Sequence, residues 1–247
     1  RDRYEAFGTL SGKKEFDKKW VENPGWILAN MSHAAYFDRE TIANRLEDFG
    51  IEVKYYQDED GGEAFLAIDK GKAFLSFRGT DLSNFDDLLI DAKFFQKKYK
   101  GAYIHKGFLE AIESLWNDGK IEEDLKNLGN RKIYATGHSL GGAMAVIASM
   151  NFEFEKVVTF GEPRIGTNLC SPLWNQTEHI RFVNGNDLVT NIPPESPAYI
   201  HYGKEFSIPV IDDYEPDDSF LDHSIINYAD RINRMNTRFI LDRKEPN

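Results

Sequence analysis

The stretch that decides the fold is KIYATGHSLGGAMAVIASM, residues 132–150. Its first part, 132–136, is short and rich in β-branched and aromatic residues, which is typical of a buried strand. From Leu140 onward, Ala, Met, Val and Ile are dense enough for a buried helix. The stretch therefore predicts a strand that turns directly into a helix.

Between the predicted strand and the predicted helix lies the G-x-S-x-G pattern Gly137-His138-Ser139-Leu140-Gly141. A sharp strand-to-helix turn strains the corner residue, and flanking glycines remove Cβ atoms that would collide there. The serine hydroxyl would stand at the start of the helix, where unpaired N–H groups favour a developing negative charge. The pattern alone is weak, but its context predicts a nucleophile elbow at Ser139.

Composition limits the classes of partner. With 247 residues and a net charge of −11, the chain has no basic stripe for nucleic acid, and its overall charge disfavours simple adhesion to anionic membranes. The single cysteine, Cys170, excludes an intrachain disulfide. No apolar run reaches the roughly twenty residues of a transmembrane segment. The location stays open between secreted and cytoplasmic, with a lean to secreted, because a leader could have preceded Arg1.

Predicted strands and helices alternate along the chain. The strands are Ile51–Tyr56, Glu63–Asp69, Lys72–Phe77, Lys156–Phe160, His179–Val183, Tyr199–Tyr202 and Glu205–Ile208. The helices are Trp26–Phe37, Thr41–Phe49, a mostly helical stretch Tyr103–Leu128 in one piece or in two broken near Asp118-Gly119, and Ser224–Met235. Residues 1–20 receive no assignment. The alternation predicts a single α/β domain over residues 1–247, with a mostly parallel sheet and helices on both faces. Reactive groups gather at the carboxyl ends of such strands, where Thr80, Ser139 and Asp187 fall.

A nucleophilic serine needs a histidine to take its proton and a carboxylate to orient that histidine. After an elbow of this kind, the acid precedes the histidine along the chain. His223 lies in a loop before the last predicted helix, and His201 lies within a predicted strand. We favour His223 and keep His201 as the alternative. His138 is a poor candidate, because neighbours on a strand point to opposite faces.

Asp187 is the preferred acid, because it is a lone carboxylate after a predicted buried strand. The alternatives are the cluster Asp212, Asp213, Asp217 and Asp218, although a run of like charges is usually a solvated loop. A calcium site in that cluster is a minor alternative. The proposed chemistry itself requires no cofactor and no metal.

Several motifs occur together in a fixed order along the chain. They are Arg78-Gly79-Thr80, His105-Lys106-Gly107-Phe108, Gly137-His138-Ser139-Leu140-Gly141-Gly142-Ala143, Phe160-Gly161-Glu162-Pro163-Arg164-Ile165-Gly166, Asp187 with Pro193-Pro194, and Asp222-His223. In this order the chain resembles class 3, or fungal-type, lipases of the α/β-hydrolase fold over roughly residues 60 to 235. The resemblance implies a triad of Ser139, Asp187 and His223. Thr190 departs from the family, which often has a proline nearby, and the lack of disulfides departs from its fungal members.

The resemblance also assigns the surroundings of the triad. It implies that Thr80 and Leu140 form the oxyanion hole, and that Asp91 supports the oxyanion residue. Segment 81–90 resembles the family's lid, and its four apolar residues would cover the site and contact substrate: Leu82, Phe85, Leu88 and Leu89. A fixed helix that buries the same face in the core is the other interpretation of this segment.

The activity implied by the resemblance is that of a serine carboxylic-ester hydrolase, foremost a triacylglycerol lipase with a mobile lid. Its partners would be a lipid or another ester and, transiently, a lipid–water interface. A phospholipase A1 and a feruloyl-esterase-like esterase are alternatives on the same fold. A non-catalytic interaction module is a further alternative, and the complete set of triad and oxyanion residues argues against it.

Overall fold

A computed structural model describes residues 5–80, 95–167, 177–209 and 222–243. Within these residues, seven strands form one sheet in the order β1-β2-β3-β6-β7-β8-β9. The strands are β1 Glu52–Gln57, β2 Glu63–Ile68, β3 Lys72–Phe77, β6 Lys132–His138, β7 Lys156–Phe160, β8 Glu178–Asn184 and β9 Lys204–Ile208. A separate hairpin pairs β4 Gln96–Tyr99 with β5 Ala102–His105.

The direction of the strands confirms the predicted sheet. β1, β2 and β3 pair antiparallel, whereas β3, β6, β7, β8 and β9 pair parallel in the described residues. Parallel pairing needs crossover connections, and those from β3 to β6 and from β6 to β7 carry helices. The carboxyl ends of β3, β6, β7 and β8 therefore share one edge of the sheet, which we call the carboxyl edge.

Seven α-helices surround this sheet in the described residues. They are α1 Gly12–Glu22, α2 Pro24–Ala34, α3 Arg39–Glu47, α4 Lys106–Trp116, α5 Lys120–Lys126, α6 Leu140–Ala148 and α7 Ile225–Ile232. Pro24 lies in the first turn of α2, where its missing N–H costs nothing. No helix in the described part of the chain combines the length and apolar character that crossing a membrane requires.

The sheet separates two apolar cores, because successive strand residues point to opposite faces. Phe74 of β3 packs in the core beneath α1, α2, α3 and α7, and its neighbour Leu75 packs in the core beneath α4, α5 and α6. Tyr134 and Ala135 of β6 divide in the same way. Helices therefore cover both faces of the sheet, as the alternation predicts.

Two predictions about elements are wrong, and one unassigned segment proves to be helical. Residues 103–105 belong to β5 rather than to the start of a helix, because the hairpin bonds to the segment after β7: His105 N–H donates to the Ile165 carbonyl over 2.7 Å. Tyr199–Tyr202 is not a strand, although Ile200 bridges to Gly166. The unassigned residues 1–20 include much of α1, whose Phe16 and Trp20 are buried in the core.

Candidate active site

Ser139 occupies the corner between β6 and α6, with φ +57° and ψ −126°, a strained conformation for a residue that carries a side chain. The flanking glycines make this corner possible. A Cβ on Gly137 would lie 2.2 Å from the Gly141 carbonyl carbon, and a Cβ on Gly141 would lie 2.3 Å from the Phe77 oxygen at the end of β3. The geometry of a nucleophile elbow is therefore present at Ser139.

His223 and Asp187 form a buried pair behind the elbow. His223 Nδ1 lies 2.9 Å and 3.0 Å from the two carboxylate oxygens of Asp187, and both residues are almost fully buried. A carboxylate oxygen accepts a hydrogen bond from a ring N–H, so the proton resides on Nδ1. In the neutral imidazole, Nε2 is then the free acceptor that a general base requires.

The hydroxyl of Ser139 is buried, and it forms no hydrogen bond with any residue in the described ranges. The structure thus joins histidine to aspartate, but it does not join the serine to the histidine by a hydrogen bond. Ser139 and His223 nevertheless lie close together. The ring of His138, the residue before Ser139, lies 4.6 Å from the ring of His223, measured between centroids. Nucleophile–base bonds are often loose before a substrate is held.

Tyr228 of α7 is a partner of Asp187 that the sequence does not reveal. Its hydroxyl donates to Asp187 Oδ2 over 2.6 Å and accepts from Asn184 N–H over 3.0 Å. Burial, together with the neighbouring Asp187, raises the pKa of Tyr228 well above its usual value, so the hydroxyl keeps its proton and remains a donor. Val189 N–H supplies another hydrogen bond, 3.0 Å from Asp187 Oδ1.

His138 holds the main chain of His223. Its Nε2 lies 2.5 Å from the His223 carbonyl oxygen, and its Nδ1 lies 2.7 Å from the Tyr36 hydroxyl. Burial lowers the pKa of His138 well below its usual value, and His223 lowers it further. A neutral ring that faces a carbonyl through Nε2 must donate there, so Tyr36 donates to Nδ1. His138 is therefore a positioning residue.

His201, the alternative base, lies elsewhere in the structure. Its Nε2 contacts the Thr190 carbonyl oxygen over 2.5 Å, and its Nδ1 lies 3.9 Å from Glu162 Oε2. Burial lowers the pKa of His201 to about 3, so the ring is neutral and this last contact is not an ion pair. Thr190 in turn donates from Oγ1 to the Asp187 carbonyl over 2.9 Å. His201 therefore contacts the loop that carries Asp187.

The two predicted oxyanion residues face a common space. Thr80 follows β3 and Leu140 opens α6, and both line a cavity of about 470 Å³ that also contacts Glu110 and Ser114 of α4. Leu140 stands at the first helical position, so its N–H has no acceptor within the helix. Ser139 is not among the residues that line this cavity, so the oxyanion roles of Thr80 and Leu140 remain predictions.

Some predicted residues lie outside the described residues. They are the lid and substrate-contact residues Leu82, Phe85, Leu88 and Leu89, the supporting Asp91, and the acidic cluster Asp212, Asp213, Asp217 and Asp218. The structure therefore does not test these predictions. Within the described residues, the groups that the sequence analysis does not identify as partners are Tyr228 and Tyr36, and Glu162, which appears there only within a motif. The apolar period of the last predicted helix signals burial of Tyr228, but no sequence signal identifies its partner.

A mostly parallel sheet with a serine elbow at its carboxyl edge and an Asp–His pair behind it defines the α/β-hydrolase fold class. The sequence narrows the class of protein: residues 74–196 match the family described as lipase (class 3), and this segment belongs to that family. The resemblance drawn from the motifs is thereby confirmed.

Comparisons with individual proteins agree with this assignment. A lipase of Rhizopus niveus is 34% identical over 158 residues, which cover 57% of this chain and 40% of that lipase. Toxin TseL of Vibrio cholerae is 25% identical over 235 residues, covering 72% of this chain and 36% of the toxin. The solved triacylglyceride lipase of Rhizomucor miehei has a TM-score of 0.63 at 21% identity, covering 79% of this chain and 80% of that one. The chain thus spans less than half the length of the first two relatives, and the structural likeness shows the fold.

Proposed function

We propose that the chain is a serine carboxylic-ester hydrolase that acts on triacylglycerols through an acyl-enzyme on Ser139. The observation that carries this proposal is the buried Asp187–His223 pair, with its proton on Nδ1, beside the elbow that presents Ser139. Membership of residues 74–196 in the class 3 lipase family supports it. The triacylglycerol preference draws on the likeness to the Rhizomucor miehei triacylglyceride lipase.

The proposed reaction has two halves. His223 Nε2 takes the Ser139 proton while Oγ bonds to the ester carbonyl carbon, and the negative charge moves to the carbonyl oxygen. The ester C–O bond then breaks, and His223 returns the proton to the departing alcohol. A water molecule repeats these steps on the acyl-enzyme, releases the fatty acid and restores Ser139.

The backbone N–H groups of Thr80 and Leu140 are the proposed donors to the carbonyl oxygen when it becomes negative. Losing one such donor costs about a hundred- to a thousandfold in rate. Thr80→Ala removes the hydroxyl and the γ-methyl group but keeps the backbone N–H, so it should cost less than the loss of that donor. Asp187, held by Tyr228 and Val189, keeps the imidazole in the tautomer that both halves of the reaction require.

The experiment compares Ser139→Ala with Ser149→Ala. Ser149 is a matched control, because it is also buried and follows the opposite end of α6, where its hydroxyl bonds to Val146. Ser139→Ala should lower the turnover of a p-nitrophenyl ester by about a millionfold and abolish fluorophosphonate labelling, with thermal unfolding unchanged. Labelling of Ser139→Ala at the wild-type level would contradict the proposal.

Substrate preference requires a separate measurement. Residues 81–90 remain a lid by prediction, so the proposal includes activation at an interface. The turnover of a short-chain triglyceride should rise steeply once its concentration exceeds the solubility limit and an emulsion forms. A rate that follows simple saturation through that point would indicate an esterase for soluble esters instead.

A further inference from the structure

Three polar side chains join the segments that carry Asp187 and His223, and the proposed chemistry does not use them. They are Asn184 at the end of β8, Asp222 directly before His223, and Arg231 in the last turn of α7. Asn184 is fully buried, and Asp222 is nearly so. Arg231 Nη1 lies 3.1 Å from Asp222 Oδ1, and it also donates to Asn184 Oδ1. These three residues, which we call the Arg231 cluster, therefore link the end of β8, the residues just before α7, and α7 itself.

Hydrogen bonds of this cluster tie the main chain around the acid to the main chain around the base. Asn184 Nδ2 donates to the Asp222 carbonyl over 3.1 Å, and Asn186 N–H donates to Asp222 Oδ2 over 2.9 Å. Asp187 follows Asn186 directly, and its N–H donates to the Asn184 carbonyl over 3.0 Å. Asp222 is thus bonded to both asparagines of the turn that leads into Asp187, and His223 is the next residue. The bonds of Asp222 therefore help to set where the imidazole lies relative to the carboxylate.

Arg231 supplies the positive charge that this arrangement requires. The side chain of Asp222 is 9% exposed, and that of Arg231 is 13% exposed. A carboxylate this deeply buried is costly to leave without a cation, so Arg231 makes the bonds of Asp222 possible. The charge of Asp222 also reaches the candidate site: burial, Asp187 and then Asp222 raise the pKa of Tyr228, whose hydroxyl donates to Asp187 Oδ2. Arg231 therefore offsets a second negative charge close to the Asp187 carboxylate.

We propose that Arg231 is a positioning residue that fixes the geometry of the Asp187–His223 pair. It acts through Asp222 and Asn184 rather than on the ester itself. The same helix also supplies the tyrosine hydroxyl that donates to Asp187 Oδ2, so α7 holds the pair at two points. This inference rests on the proposed function and adds a residue to the machinery of the same site.

The test measures kcat and KM on a soluble p-nitrophenyl ester for Arg231→Met, which leaves the Asp222 carboxylate without its cation. Because a misplacement of about 1 Å can cost about a hundredfold in rate, kcat should fall about ten- to a hundredfold, with KM changed by less than about twofold. Arg231→Lys should keep kcat within about threefold of wild type, since one nitrogen of Arg231 makes both contacts and an ammonium has donors for both. An unchanged kcat for Arg231→Met would overturn the proposal.

A double variant distinguishes the unpaired charge from the loss of packing. Asp222→Asn removes the carboxylate and keeps an acceptor for Asn186 N–H. Combined with Arg231→Met, it leaves no unpaired charge in the Arg231 cluster, so kcat should recover about three- to tenfold over Arg231→Met alone and stay below wild type. No recovery, or a wild-type kcat in the double variant, would overturn the proposal. If Arg231→Met does not fold, the double variant decides alone, by a kcat below or equal to that of wild type.

The matched control is Lys156→Met. Lys156 is likewise a buried cation that joins a carboxylate to an oxygen of another segment, because its Nζ lies 3.3 Å from Glu178 Oε2 and donates to the Asp242 carbonyl over 2.7 Å. It is the first residue of β7, at the edge of the sheet opposite to the carboxyl edge. Lys156→Met should lower the temperature of thermal unfolding and leave kcat at the wild-type level. An equal loss of kcat in Lys156→Met and Arg231→Met would overturn the proposal.

Failure of this proposal can be told apart from failure of the proposed function. The Ser139→Ala protein is measured on the same ester. Hydrolysis by Ser139→Ala at the wild-type rate would remove the proposed function and, with it, the role of Arg231. Hydrolysis that depends on Ser139 but not on Arg231 would keep the proposed function and remove only the role of Arg231.

Discussion

At the scale of single residues, the polar contacts of Asp187 make the clearest prediction. Tyr228→Phe removes the donor to Oδ2 and leaves Asn184 N–H without its acceptor. Because a hydrogen bond to a charged group contributes about 1.5–3 kcal/mol, we expect kcat to fall about ten- to a hundredfold with KM little changed. Tyr134→Phe, in β6 among Trp20 and Phe74, is the control. An unchanged kcat for Tyr228→Phe would show that Tyr228 does not position the acid.

The buried carboxyl group of Glu162 should make the stability of the protein depend on pH. Burial raises its pKa to about 7, against the opposing effects of Arg181 and of the Thr159 hydroxyl, which donates over 2.8 Å. The folded protein keeps a proton that the unfolded chain releases above about 4.5, so this group lowers stability as pH rises from about 4.5 to 7. The neutral His201 beside it offers no compensating charge in this range.

Glu162→Gln removes this titration. Its unfolding free energy, relative to wild type, should therefore rise between pH 5 and pH 7.5 by an amount on the order of 2 kcal/mol, measured by urea unfolding at a series of pH values. A constant difference between the two proteins across that range would be inconsistent with a buried, protonated Glu162.

The sequence predicts the residues of the site better than their contacts. Ser139, Asp187 and His223 are recognisable because a strand-to-helix turn, a strand end and a loop before a helix are visible as patterns. Tyr228 and Tyr36 are not recognisable as partners, since helical periodicity shows only that a tyrosine is buried. Their hydroxyls reach Asp187 and His138 through packing between elements far apart in the chain, which no local pattern encodes.

At the scale of elements, the turn after β7 carries a prediction. Gly161 has φ +62°, and a Cβ there would lie 2.7 Å from Asp187 Oδ2 and 3.0 Å from His223 Nδ1. Gly129 has φ +63° with nothing within 4 Å of a Cβ, so it is a matched control for backbone strain alone. Gly129→Ala should cost about 1–2 kcal/mol of stability without affecting activity.

Gly161→Ala should carry the same backbone cost and, in addition, displace the Asp187–His223 pair, lowering kcat/KM at least about tenfold. The comparison measures esterase kinetics and thermal unfolding for both variants. If Gly161→Ala matched Gly129→Ala in activity, the close approach of this turn to the Asp187–His223 pair would not affect the reaction.

The elements that the sequence predicts wrongly are short and depend on distant partners. The four residues of β5 alternate too briefly to be distinguished from the start of α4, and the bond from His105 N–H to Ile165 decides their conformation. The longer parallel strands are predictable, because apolar runs bounded by glycine or polar residues suit a sheet buried on both faces. Residues 1–20 lack a clear period, although Phe16 and Trp20 are buried.

At the scale of the whole molecule, the two cores predict where substitutions destabilise. Phe74 is fully buried, with its ring 5.1 Å from Trp20 and 5.9 Å from Tyr134. Phe74→Ala should lower the unfolding free energy by about 3–5 kcal/mol, as for other buried phenylalanines. Phe95→Ala, at an exposed ring, should change it by less than about 0.5 kcal/mol. Urea unfolding measures both, and similar losses would contradict the assignment of Phe74 to the core.

The three groups of the proposed triad come from separate parts of the chain, at residues 139, 187 and 223; His223 directly precedes α7, whose Tyr228 bonds to Asp187. During synthesis the ribosome therefore delivers the nucleophile long before the imidazole that would activate it. Until residues 222–232 are made, the proposed nucleophile has no proposed base. Synthesis of this segment is thus the step that would complete the proposed triad.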